Sequence, residues 1–180
     1  MMAEHERDTR GDSHGHDGLE AQEGKGLERV VRISRVAAVV KGGRRFSFTA
    51  AVVVGNGDGE VGIGYGKARE VPVAVEKALK DGRAAMQKVA IRSGTLPFKV
   101  VGRFGASRVV MLPANEGTGV IAGEAVRAVL ECAGVKNVLT KSIGNNNKLN
   151  LLRAAMDGLL QLRNKEDLKR LRGVAIEAEQ

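Results

Sequence analysis

Lys41, Arg44, Arg45, Lys67 and Arg69 stand towards the two ends of the glycine-rich stretch Val39–Glu70, and at its exit only Glu70 opposes them. Ammonium and guanidinium groups held at fixed spacing make charge-assisted hydrogen bonds to phosphate oxygens. The glycines between them set how closely a partner can approach. Gly62, Gly64 and Gly66 alternate with Val61, Ile63 and Tyr65. Strand side chains alternate between faces, so three glycines bare one face and let a foreign backbone come near. The pattern predicts a small sheet that lies against a polyanion, with Arg32, Lys41, Gly42, Gly43, Arg44, Arg45, Gly62, Gly64, Gly66, Lys67 and Arg69 as contacting positions.

Other chemistries fit less well. Gly57-Asp-Gly-Glu-Val-Gly62 matches G-x-G-x-x-G by letter, but its third glycine falls inside a strand instead of opening a helix. Gly66-Lys67-Ala68 lacks the earlier glycine and the Ser/Thr of a Walker loop, which leaves Lys67 as a phosphate contact. Gly117-Thr-Gly-Val-Ile-Ala122 is read as joining a strand to a helix, a setting in which free N–H groups bind phosphate. No acidic ribose partner stands about 20 residues on; Leu139-Thr-Lys141 occupies that place. Gly117, Thr118 and Gly119, with Arg127 on the following helix, are therefore expected to form a protein-contact surface. Cys132 lies on an apolar helical stripe, and all three histidines lie in the N-terminal tail, so no Cys-His nucleophile pair is expected. His14 and His16 beside Asp12 and Asp17 read as a solvated tail and not a metal site. No cofactor, metal or catalytic group is expected.

The charge is unevenly placed. The chain of 180 residues carries +8 overall; residues 1–24 hold −5 and residues 173–180 hold −2, which leaves +15 on residues 25–172. That excess suits nucleic acid. No apolar run approaches the roughly 20 residues of a membrane span, no signal peptide is visible, and one cysteine excludes an internal disulfide and fits a reducing cytosol.

These groups need elements to hold them. Residues 1–24 read as a disordered acidic tail. Residues 25–91 read as three strands and a helix. Leu27–Val40 is an edge strand and Lys41-Gly-Gly43 a loop. Phe46, Phe48, Ala50, Val52 and Val54 form an apolar face that reads as core and not as a base-stacking platform. Gly55–Gly59 is a tight hairpin turn, and Pro72 opens a helix buried through Val75, Leu79, Gly82, Met86 and Val89. Residues 92–98 read as a linker. Residues 99–163 predict a two-layer α/β unit: strands Lys99–Arg103 and Arg108–Leu112, a helix Ala122–Ala133 ended by Gly134, a strand Val135–Ser142, and a helix Lys148–Leu162 capped within Asn145–Asn147. Residues 164–180 form a charged extension. The class is α+β. A strand-strand-strand-helix unit grips RNA backbone and 2′-hydroxyls in place of base edges, as a double-stranded-RNA-binding fold does.

Gly42-Gly-Arg-Arg-Phe46, then Ala50-x-Val-Val-Val-Gly-Asn-Gly-x-Gly-x-Val-Gly-x-Gly-x-Gly-Lys-Ala68, resembles the signature of the small-subunit ribosomal protein five family of bacterial type. Gly105-Ala-Ser-Arg108, Pro113-Ala114 and Glu116-Gly-Thr-Gly-Val-Ile-Ala-Gly123 resemble the same family further on, and the likeness runs to about Leu162. The resemblance implies a non-catalytic constituent of the cytoplasmic small ribosomal subunit, with a double-stranded-RNA-binding-like first domain. It implies contacts with small-subunit rRNA and with ribosomal proteins four and eight. It also implies a part in shaping the region where mRNA enters and in decoding accuracy, and a place for Lys41–Arg44 beside the spectinomycin site. The tail 1–24 is no part of the pattern. Two alternatives remain at this point: a free double-stranded-RNA-binding regulator, and a nucleotide-dependent enzyme using Gly117–Ala122.

Overall fold

Small side chains decide how the first half packs. In the computed structural model, which describes residues 26–173, β1 (Leu27–Val40), β2 (Gly43–Gly55) and β3 (Glu60–Ala68) form an antiparallel meander. Helix α1 (Val71–Ala84) follows, with Pro72 in its first turn as expected. The chain then returns as a two-residue strand, β4 (Gln87–Lys88), beside Glu60 and Val61. The sheet thus has four strands, β1-β2-β3-β4, where the sequence predicts three. Two residues are too few for alternation to be read.

Helix α1 lies on the glycine face of β3. A Cβ added at Gly62 would stand 2.2 Å from the Gly82 carbonyl oxygen, at Gly64 1.8 Å from that of Ala78, and at Gly66 2.1 Å from that of Ala74. Backbones this close admit only small residues between them, so the helix buries Ala74, Ala78 and Gly82. The expected stripe is corrected accordingly: Val75 and Leu79 pack from the flanks, and Met86 and Val89 fall beyond the helix. Ala50, Val52 and Val54 complete this layer, with Phe48 partly buried against it. Phe46 departs from the expected core face. It is 47% exposed and carries the Arg35 guanidinium 3.7 Å above its ring centroid.

The second half comprises β5 (Val100–Phe104), β6 (Ser107–Pro113), β7 (Val120–Ile121), α2 (Glu124–Ala133), β8 (Val138–Gly144), α3 (Lys148–Leu160) and α4 (Lys165–Arg172). Its sheet runs β5-β6-β8-β7, with only the β7–β8 pair parallel. The caps follow the sequence. Gly134 ends α2 in the left-handed region, at φ 91°, and Asn147 Oδ1 accepts from the Leu149 N–H at the start of α3. Close helix-on-glycine packing recurs here, for a Cβ at Gly102 would lie 1.9 Å from the Ala154 carbonyl oxygen.

The two halves share one core. Alternate residues of Ala50–Val54 divide between the layers, and Ala51 and Val53, with Val31 and Val61, meet Val126, Val129, Leu130 and Cys132 of α2 in a single buried cluster. The turn Gly55–Gly59 also serves this junction. Gly57 N and Gly59 N donate to the Cys132 and Ala133 carbonyls at 3.0 and 2.9 Å, and so satisfy the open C-terminus of α2. Arg92–Phe98 is packed as well: Leu96 is buried, and the Gly94 carbonyl accepts from Lys136 N and Asn137 N. No helix among the described residues is long and apolar enough to cross a membrane. The acidic tail 1–24, with His14 and His16, and residues 174–180 lie outside the described residues.

Candidate nucleic-acid interface

Strand β3 pairs with β2 only from Phe48 onward, so Val36–Ser47 extend past the sheet as a two-stranded arm. Its tip is a two-residue turn, Lys41–Gly42, closed by the Val40–Gly43 pair; Gly43 therefore begins β2 and is not loop. Gly42 adopts φ 106°, which a residue with a side chain rarely does. Lys41, Gly42, Gly43, Arg44 and Arg45 are all exposed, and the arm holds no acidic residue. A narrow ribbon with cations at its end can enter a groove between phosphate strands.

Beside the arm, the half of the sheet face not covered by α2 carries a polar row. Arg32 and Ser34 of β1, Ser47 and Thr49 of β2, and Tyr65 and Lys67 of β3 share this face by register. Arg32 Nε donates to Ser34 Oγ at 2.9 Å, and Thr49 Oγ1 to the Ser34 carbonyl at 3.2 Å. Lys67 and Arg69 join Ser47, Glu70 and Lys77 around a depression of about 510 Å³ at the start of α1. Glu70, the N-cap of α1, sets one carboxylate among these three cations, so the depression keeps a net positive charge of two.

The structure thus places Arg32, Arg45 and Lys67 on one face of the first sheet, with Lys41 at the tip of the arm, Arg69 at the start of α1, and Arg44 on the opposite face, which it shares with Phe46 by register. Gly62, Gly64 and Gly66 are corrected: they are buried beneath α1, and the backbone that approaches them is the protein's own. Ser34, Ser47, Thr49 and Lys77 are absent from the sequence-derived set. The parity opposite Phe46 and Phe48 marks Ser47 and Thr49, but only the meeting of β3 with α1 brings Lys77 to Lys67.

At the far end of the second sheet, Gly117 and Thr118 are exposed and Gly119 is half-buried. Gly119 N donates to Asn137 Oδ1 at 3.0 Å, and Arg127 Nη2 to the Val120 carbonyl at 3.1 Å, so the four candidate contact residues are neighbours. The loop leads into β7 and not directly into a helix, which corrects the expected strand-to-helix passage. Helix α2 starts only at Glu124, whose carboxylate is paired with Lys148 Nζ at 2.5 Å. A carboxylate on the first turn repels phosphate. Ile121 is a strand residue and 53% exposed.

Cys132 is fully buried. Burial pushes its thiol pKa from 9.0 to about 11; nearby Arg29 lowers it and Glu131 raises it, and those two form a 2.8 Å ion pair. The thiolate is therefore scarcer than in the unfolded chain, by roughly a hundredfold at tenfold per pKa unit. Alkylation by iodoacetamide at mildly alkaline pH is expected to be slow in the native protein and fast in denaturant, as thiol counting over time will show. Because the folded pKa is the higher one, the neutral thiol stabilises the fold below pH 9, and this contribution fades as pH rises towards 11. Equal alkylation rates in both states would contradict this packing.

Comparison with known proteins matches the fold just described. Residues 27–90 match the family model of ribosomal protein S5, N-terminal domain, and residues 102–172 that of ribosomal protein S5, C-terminal domain. A curated relative from Rhodopirellula baltica, named small ribosomal subunit protein uS5, is 53% identical over 168 residues, which is 93% of either chain. A relative of the same name from Lawsonia intracellularis is 55% identical over 152 residues, 84% of this chain and 93% of its own. With both halves matched and the likeness running nearly end to end, this chain belongs to the ribosomal protein S5 family.

Proposed function

We propose that this protein is a structural constituent of the cytoplasmic small ribosomal subunit, and that it binds small-subunit rRNA through the basic arm and the polar half of its first sheet. The observation that carries the reading is the cation-tipped arm Val36–Ser47, free of carboxylates and continuous with Arg32, Lys67 and Arg69. Its work is positioning and not catalysis. Phosphate contacts fix RNA backbone in place without reading sequence. The arm lies where mRNA enters the subunit, and Lys41–Arg44 adjoins the spectinomycin site.

The second unit meets neighbouring ribosomal proteins. Gly117, Thr118, Gly119 and Arg127 face ribosomal protein four. The outer face of the second sheet, where Ile121, Leu139 and Ile143 are 39–53% exposed, suits a further protein such as ribosomal protein eight. Arg127→Glu is expected to weaken the contact with protein four and to raise misreading, with rRNA affinity unchanged. Single pairs in such interfaces contribute a few kcal/mol at most, so the loss is partial. Stop-codon readthrough and subunit assembly in cells measure it; unaltered decoding together with an intact protein-four contact would remove the assignment.

The test of the whole reading is co-sedimentation with small subunits through a high-salt wash. Retention is expected. Release of the protein as a free species that binds any duplex would instead favour the regulator. Saturable micromolar ATP or GTP binding would favour an enzyme.

A further inference from the structure

Where the two units meet, a cleft of about 390 Å³ opens between β3–α1 on one side and β5–α3 on the other. Its walls carry Tyr65 and Phe104, 46% and 39% exposed, which is unusual for aromatic rings at a seam between packed units. Arg153 lies over Phe104, its guanidinium carbon 5.0 Å from the ring centroid. One carboxylate faces in from each side. Asp81 Oδ2 accepts from Tyr65 N at 2.9 Å, and Asp157 Oδ2 accepts from Arg103 N and Gln161 Nε2, each at 2.9 Å. These bonds pin both carboxylates, and among the described residues the Oδ1 atom of each has no hydrogen-bond partner.

We propose that this cleft holds one unpaired guanine base of RNA, stacked on the aromatic walls and hydrogen-bonded along its Watson–Crick edge to a carboxylate. The inference rests on the RNA-binding reading above. Two carboxylates exclude phosphate from the cleft, although the surface around it is basic, so what enters must present donors and a flat apolar face. Among the four bases only guanine offers two adjacent donors, N1–H and N2–H₂, which match the carboxylate of Asp81, whose Oδ2 accepts a single bond and whose Oδ1 is open; the Oδ2 of Asp157 already accepts two, and Arg153 supplies a donor for the guanine O6. A cationic side chain from a protein would also meet the carboxylates, but it would have to lie against the Arg153 guanidinium. Tyr65 and Leu149 line this cleft and also the neighbouring depression that reaches Arg32 and Ser34, so the cleft opens onto the polar row of the sheet. Extruded bases stacked on aromatic rings are the usual means of sequence-specific RNA recognition.

The full chain reports on its own cleft, because Tyr65 is its one tyrosine and it has no tryptophan. Titration with a short oligouridine carrying a single guanine is expected to quench Tyr65 fluorescence and to bind roughly tenfold more tightly than the same oligomer carrying adenine. Asp81→Asn, which keeps an acceptor for Tyr65 N, should abolish most of that preference, and Phe104→Ala should lower affinity about tenfold through lost stacking. Melting curves check both variants; if Phe104→Ala does not fold, quenching and the guanine-to-adenine ratio of the unaltered chain decide. Duplex RNA binding is measured on the same sample. Intact duplex binding without guanine preference or quenching overturns the cleft assignment alone. Loss of all RNA binding overturns the interface and the cleft with it. An arginine-containing peptide that quenches Tyr65 when the guanine oligomer does not would make the guest a protein side chain, and would also overturn the proposal.

Discussion

Gly64→Ala is expected to unfold the first half of this protein or to leave it marginally stable. The added methyl would sit 1.8 Å from the Ala78 carbonyl oxygen and 2.5 Å from Gly82 N, both backbone atoms of α1. No rotamer change relieves a clash between two backbones, so α1 would have to lift from β3 and open the layer of Ala50, Val52, Val54, Ala74 and Ala78. Overpacking of this kind costs typically 1–3 kcal/mol, and an unyielding site stands at or above about 3 kcal/mol. Total stabilities are about 5–15 kcal/mol, so the loss is a large fraction. Denaturant titration measures it as a lower midpoint. Gly43→Ala is the control: nothing stands within 4 Å of its added Cβ and its φ is not positive. It should shift stability by less than about 0.5 kcal/mol. Equal midpoints for the two variants would mean that α1 does not lie on the glycine face.

The second large effect concerns RNA. Replacing Lys41, Arg44 and Arg45 together with alanine removes three exposed cations from the arm without touching a buried side chain. Each lost phosphate contact lowers the slope of log affinity against log salt by about 0.9, so a fall of between two and three is expected. At low salt, affinity for duplex RNA should drop roughly a hundredfold or more, since hydrogen bonds to charged groups contribute about 1.5–3 kcal/mol each. Melting temperature should stay where it is. An unchanged slope would show that the arm does not touch phosphate. A loss confined to one RNA sequence would mean that it reads bases.

Much of this was legible in the chain. Alternation located β2 and β3, the basic residues marked the arm, and Gly134 and Asn147 announced a helix end and a helix start, because each of these signals is local. The same locality explains the errors. Gly62, Gly64 and Gly66 do mark a face that another backbone approaches, but nothing within the strand says whether that backbone is RNA or α1. Once a helix must lie on glycines, its own contact line has to be Ala74, Ala78 and Gly82, and bulkier Val75 and Leu79 are displaced to the side. The hydrophobic pattern of α1, read alone, favours the larger residues.

By itself, then, the sequence determined the element types, the excess of positive charge and where it concentrates, and the family signature. Those follow from backbone propensity, side-chain alternation and ionisation, which act within a few residues. Only the tertiary structure decided what the Gly55–Gly59 turn is for. It hydrogen-bonds the C-terminus of a helix more than 70 residues later, through Gly57 N to the Cys132 carbonyl and Gly59 N to that of Ala133. It likewise decided that the two halves share one core, and that Asp81 and Asp157 face each other's unit across a cleft. Contacts of that kind depend on which buried surfaces fit together at close range, and complementarity between distant segments leaves no periodicity in either one.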